Sequence, residues 1–104
     1  MHKIVFDQKP REAALERWFV ATVKKRGGRA YKFTSPGRRS VPDRLVVLPN
    51  TIPFFVELKR EGKKPTPKQE LEINFLEQQG QFVFVADTKV KCLSLLQKMH
   101  GHCT

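Results

Sequence analysis

Residues 42–59 read PDRLVVLPNTIPFFVELK, and this stretch decides the architecture. Residues 44–48 are an apolar run of strand length. Pro49, Asn50 and Thr51 form a turn. Residues 53–59 are a second strand. Phe54, Phe55, Val56 and Leu58 leave both of its faces mainly apolar, as expected of a central strand. If the two strands pair as a hairpin across this short turn, the start of the first lies beside the end of the second. Asp43 would then fall near Glu57 and Lys59. The last two are two residues apart on a strand and point the same way.

Outward from this hairpin the chain alternates helices and strands. On the N-terminal side, Pro10 suits the first turn of a helix. Leu15, Trp18, Phe19 and Val23, with Thr22, recur at helical spacing up to Arg26, and Gly27 and Gly28 stop the helix. Residues 30–34 read as a strand and 35–42 (SPGRRSVP) as a loop with two arginines at its tip. On the C-terminal side, residues 60–65 are a basic loop. Thr66 is then an N-cap, Pro67 an N1 residue and Gln69 the N3 member of a capping box. That helix is expected to run to about Gln79 with Leu71, Phe75 and Leu76 inward, ending at Gly80. Residues 82–86 are a core strand, and Asp87 or Thr88 caps a final helix carrying Val90, Leu93, Leu96 and Met99. The order α-β-β-β-α-β-α predicts one α/β domain over residues 1–104, a mixed sheet flanked by helices.

The chemistry lies where the hairpin closes. Two neighbouring carboxylates repel, and one is protonated unless a cation intervenes. A hard divalent cation on oxygen ligands removes the conflict; Mg²⁺ typically takes one or two carboxylates and keeps several waters. Such a water suits attack on a phosphodiester, with the metal lowering its pKa and polarising the phosphoryl oxygen. Lys59 would orient that water, help deprotonate it, or stabilise charge in the transition state. The bland alternative is an ion pair of Glu57 with Lys59 beside an ordinary turn aspartate. Glu16 borders the apolar face of the first helix and needs a partner there: a metal or its water, or else Arg17 or a lysine. Glu12, one turn earlier, is the weaker candidate because acids near a helix N-terminus are favoured anyway. Gln69 serves either the cap or the site.

The formal charge of +10 on 104 residues favours a polyanionic partner. Nucleic acid leads, because phosphate neutralisation releases counterions. A purely solubilising charge is the alternative. A membrane surface fits less well, since no segment joins a basic face to a wide apolar one, and no run approaches the roughly 20 apolar residues of a span. Residues 1–9 lack a signal-like stretch, so a cytosolic or nucleoid location is expected. Eight Phe residues and a 39% apolar content suit a folded core. His100, His102 and Cys103 cluster on what reads as a frayed tail, a weak metal site, and nothing suggests that Cys92 and Cys103 are oxidised.

The segment KFTSPGRRSVPDRLVVLPNTIPFFVELKREGKKPTPKQ, with REAALERWFVATVKKRGG before it, resembles the VRR-NUC (virus-type replication-repair nuclease) domains of the PD-(D/E)xK superfamily. The family pattern of a helix glutamate, GxPD, (I/V)ELK and a following glutamine falls on Asp43, Glu57, Lys59 and Gln69. The first helix is also similar to that of archaeal-type Holliday-junction resolvases, whose metal-site acid falls on Glu16. The resemblance implies a restriction-endonuclease-like core and phosphodiester hydrolysis with Mg²⁺ or Mn²⁺. Asp43, Glu57 and Glu16 would be the ligands, Lys59 and Gln69 completing the site. It also implies a homodimer acting on branched DNA, four-way junctions above all. Arg38, Arg39, Arg44, Arg60, Lys63, Lys64 and Lys68 are the expected phosphate contacts, which position substrate without reading sequence. A non-catalytic nucleic-acid-binding module is the competing function, and a sequence-specific restriction enzyme a third. Ser40 stands where the family usually has glycine, which would shift the loop carrying Arg38 and Arg39.

Overall fold

The structure, a computed structural model, describes residues 8–100 and 102. Seven elements follow one another: α1 (Gln8–Lys25), β1 (Arg29–Lys32), β2 (Arg44–Val47), β3 (Phe54–Leu58), α2 (Pro67–Gln78), β4 (Val83–Ala86) and α3 (Lys89–Met99). The order matches the expected one; the first helix begins two residues before Pro10 and the strands are a residue or two shorter. The sheet has four strands in the order β1-β2-β3-β4. The first three form an antiparallel meander and β4 runs parallel to β3, so α2 is the crossover that a parallel pair requires. The sheet is of mixed direction, and β3 lies inside it.

Strand alternation gives the sheet two unlike faces. Ala30, Val46, Phe54, Val56, Leu58 and Ala86 point to one face and join Phe19 and Val23 of α1 and Cys92, Leu95, Leu96 and Met99 of α3 in a closed core. Each large apolar side chain buried there contributes about 1.5–3 kcal/mol. Gly27, at φ +85°, turns the chain out of α1. Gly28 then lies so close to the Val47 carbonyl and Leu48 that a Cβ would collide with them. Only glycine lets the helix exit meet the sheet there.

Two helices differ from expectation. On α3, Val90 and Leu93 are exposed, while Cys92 and Leu95 are buried; Thr88 is the N-cap, accepting from the Lys91 amide. On α2, Leu71 and Phe75 point outward at 70% and 55% exposure, and only Leu76 of the expected trio is half-buried. The capping box forms as read, with both reciprocal bonds between Thr66 and Gln69. The C-terminal tail is also anchored: the Ile52 amide donates to the His102 carbonyl at 3.0 Å, and the His102 ring packs on Phe82 at 4.9 Å between centroids. Cys103 lies outside the described residues.

Cys92 is fully enclosed, and burial, aided by the charge of Asp87, pushes its thiol up to about 11. A thiol reacts as its thiolate. In a Cys103→Ser background, iodoacetamide is therefore expected to leave the native protein untouched and to label Cys92 once guanidinium unfolds it. Labelling at the native-state rate of a free thiol would mean that α3 does not close the core.

Candidate active site

The hairpin brings its two ends together as the spacing requires. Pro42, fully buried, leads into β2, and the Asp43 Oδ2 atom accepts a hydrogen bond from the Leu58 amide at 2.8 Å. This ties the aspartate to the far strand. Glu57 is 1% and Lys59 9% exposed, so these two side chains line a closed corner while Leu58 between them points into the core. Lys59 Nζ stands 3.3 Å from Glu57 Oε2, and Gln69 Nε2 donates to the same oxygen at 2.9 Å. Meanwhile Gln69 Oε1 accepts from the Thr66 amide at 2.9 Å. The two readings of Gln69 hold together: its carbonyl end closes the cap and its amide end holds the buried acid.

Burial decides the electrostatics. Desolvation, and then the charge of Asp43, pushes the Glu57 carboxyl up to about 7 even though Lys59 opposes the shift. Asp43 is raised as well, first by desolvation, against the lowering effect of the Leu58 amide; Glu16 and Glu12 add repulsion and Lys59 relieves some. A buried acid that stays raised beside its own lysine is short of positive charge. Among the described residues no group of three or more His, Cys, Asp or Glu forms a ready metal cage. A pair of carboxylates is nevertheless the usual complement for a hydrated hard cation, and Asp43 with Glu57 fits that donor set.

The helix acids are placed differently from expectation. Glu16 is engaged by Arg44, with Nε at 2.9 Å and Nη2 at 2.7 Å from Oε2, while Arg44 Nη1 donates to the Ala30 carbonyl at 3.1 Å. The partner is neither Arg17 nor a lysine. Arg44 shares the face of Val46, which α1 covers, so alternation turns it away from the Asp43–Glu57 corner. Only 16% of its side chain is exposed, and it braces α1 against the sheet. Glu12 accepts from the Arg60 amide at 3.2 Å, just beyond β3, and its charge bears on both Asp43 and Glu57. Glu12 and Glu16 are four apart and share a helix face.

The other basic residues divide by exposure. Arg38, Arg39, Lys63, Lys64 and Lys68 are exposed. Arg38 also reaches Glu72 on α2 at 3.3 Å. Arg60 is half-buried, and its Nε has no hydrogen-bond partner among the described residues. Asp87, read only as a possible cap, instead fastens the basic loop, accepting from the Gly62 amide at 2.8 Å and pairing with Lys91 at 2.9 Å. Ser40 needs no positive φ; Gly37 takes that conformation three residues earlier, at +79°.

An α/β sheet that gathers an aspartate, a glutamate and a lysine where two antiparallel strands meet is a restriction-endonuclease-like core. No protein-family model matches the chain. A phage protein named "Putative nuclease p44", from Acyrthosiphon pisum secondary endosymbiont phage 1, is 53% identical over 79 residues, spanning 76% of this chain and 85% of that one. A solved structure described as a VRR_NUC domain superposes with a TM-score of 0.79 at 30% identity, over 88% of this chain and 98% of that one. The chain belongs to the VRR-NUC nuclease family.

Proposed function

We propose that this protein is a metal-dependent, structure-selective endodeoxyribonuclease that hydrolyses phosphodiesters in branched DNA, four-way junctions foremost, as a homodimer in the cytoplasm of a phage host. The observation that carries the reading is the closed corner in which Asp43, Glu57, Lys59 and Gln69 converge. Asp43 and Glu57 would hold a divalent cation, Mg²⁺ or Mn²⁺, with the helix acids Glu12 and Glu16 as further charge. When bound, such a cation polarises a phosphoryl oxygen and acidifies a water. Gln69 keeps the Glu57 carboxylate oriented. Lys59, held by that carboxylate, presents a positive charge where negative charge develops on the phosphate. Arg38, Arg39, Lys63, Lys64 and Lys68 supply exposed charge to grip the backbone.

A two-fold dimer would set two such corners against the two strands of a symmetric junction. Tyr31 and Val47, exposed at 49% and 38% on the sheet, give it apolar surface to bury. No helix among the described residues is long and apolar enough to cross a membrane.

The test compares a labelled four-way junction with its matching linear duplex, in Mg²⁺ or Mn²⁺, using the unaltered chain and Lys59→Ala. Metal-dependent nicking of the junction is expected, falling about 10²- to 10³-fold in the variant. Tight junction binding without any cleavage by the pure protein would give the chain the role of a binding module.

A further inference from the structure

Beside the catalytic corner lies a cleft of about 690 Å³ between the loop at residues 37–40 and α2. Its α2 wall is the stripe Lys68, Leu71, Glu72 and Phe75, spaced i, i+3, i+4, i+7 and so on one helix face. Its apolar members, Leu71 and Phe75, are two of the residues that the sequence assigns to the core and the fold turns outward. Opposite it stand Arg38 and Arg39. The lining thus combines an exposed leucine and an exposed aromatic ring with the cations Arg38, Arg39 and Lys68. Glu72, the acid among the lining residues, is paired with Arg38 at 3.3 Å.

We propose that this cleft seats an unpaired stretch of nucleic acid, with a base stacked on the ring of Phe75 and backbone phosphates on Arg39, Lys68 and Arg38. The inference rests on the nucleic-acid reading above and names the substrate feature the site prefers. A base has an apolar face and a charged backbone within one nucleotide, and a ring flanked by cations matches both; stacking platforms of this kind bind single strands with little sequence preference. Paired bases inside a duplex keep their faces stacked on one another and cannot use Phe75. A second copy of the chain is the other candidate occupant. A two-fold contact through this face would bring Arg38, Arg39 and Lys68 of both copies together in a molecule already carrying +10, and like charges brought together oppose association. The cleft and the corner are linked along α2: Lys68 of the cleft wall is the chain neighbour of Gln69, which holds Glu57. A strand leaving the corner along α2 therefore passes Phe75 within about two helical turns.

The experiment measures binding in EDTA, so that nothing is cut, of an oligothymidylate of about 12 nucleotides and of a blunt duplex of equal length. The proteins are the unaltered chain, Phe75→Ala and Phe75→Trp. Phe75→Ala is expected to weaken the single strand about ten- to a hundredfold and the duplex less than about twofold, within the scatter of a surface substitution. Phe75→Trp should restore single-strand binding and have its indole emission quenched by the oligonucleotide. Equal losses on both probes, or none, would overturn the proposal. So would Phe75→Ala turning a dimer into a monomer in sedimentation, which would give the face to a second copy. The nuclease reading fails separately, in the Lys59→Ala cleavage assay: a Phe75-dependent single-strand affinity without any cleavage would leave the cleft standing and that reading lost.

Discussion

Glu57→Gln is expected to stabilise the metal-free protein at neutral pH while reducing cleavage about a thousandfold. The stability effect follows from linkage. The Glu57 carboxyl is raised from 4.5 to about 7 in the fold, so between those values the unfolded chain has lost a proton that the native one keeps. Stability then falls as pH rises through this window and levels off above about pH 7. At 1.36 kcal/mol per pH unit the loss is about 3 kcal/mol at most, and relaxation of the Lys59 pair reduces it. Glutamine has nearly the same shape, can face Gln69, and carries no charge for Asp43 to repel. Urea unfolding in EDTA at pH 5 and pH 8 measures this. The unaltered chain should lose stability relative to the variant between the two pH values. Adding Mg²⁺ or Mn²⁺ should raise the midpoint of the unaltered chain more than that of the variant. A difference between the two proteins that does not change with pH would sink the idea that burial, with the charge of Asp43, raises the Glu57 carboxyl.

Arg44→Leu is expected to cost about 2–4 kcal/mol of folding stability, toward the lower end because Arg44 and Glu16 keep 16% and 25% of their side chains exposed. The loss has two sources. Glu16 is left half-buried without its cation, and the Ala30 carbonyl loses a donor. Arg44→Leu with Glu16→Leu should recover much of the loss, since an apolar pair leaves no charge stranded; a double-variant cycle in urea gives the coupling directly. An Arg44→Leu protein as stable as its parent would remove the bracing role assigned here. Glu16→Gln adds the functional arm: a large loss of cleavage with little loss of stability would return Glu16 to the metal set.

What the sequence revealed, and what it hid, follows from the range of the interactions. Asp43, Glu57 and Lys59 were legible because one short turn dictates how two strands pair, and strand alternation then fixes which side chains meet. The capping box around Thr66 was legible because it spans three residues. The Arg44–Glu16 pair joins residues 28 apart, and no local spacing announces it. Helical periodicity marked Leu71 and Phe75 as one stripe on α2 but could not say which way the stripe faces. Pattern reports that residues share a face; only the sheet's position tells which face is inside. The same ambiguity misplaced Val90 and Leu93 on α3, where Cys92 and Leu95 lie on the covered side.

The two-ended use of Gln69 has a mechanical consequence. Its carbonyl must face the Thr66 amide and its NH₂ must face the Glu57 carboxylate, so the side chain has one workable orientation. If the first turn of α2 frays, the donor leaves Glu57; if the acid swings away, the cap loses a bracing contact on its far end. The Asp43–Glu57 corner and the start of a neighbouring helix thus share a single latch, and neither can come undone privately.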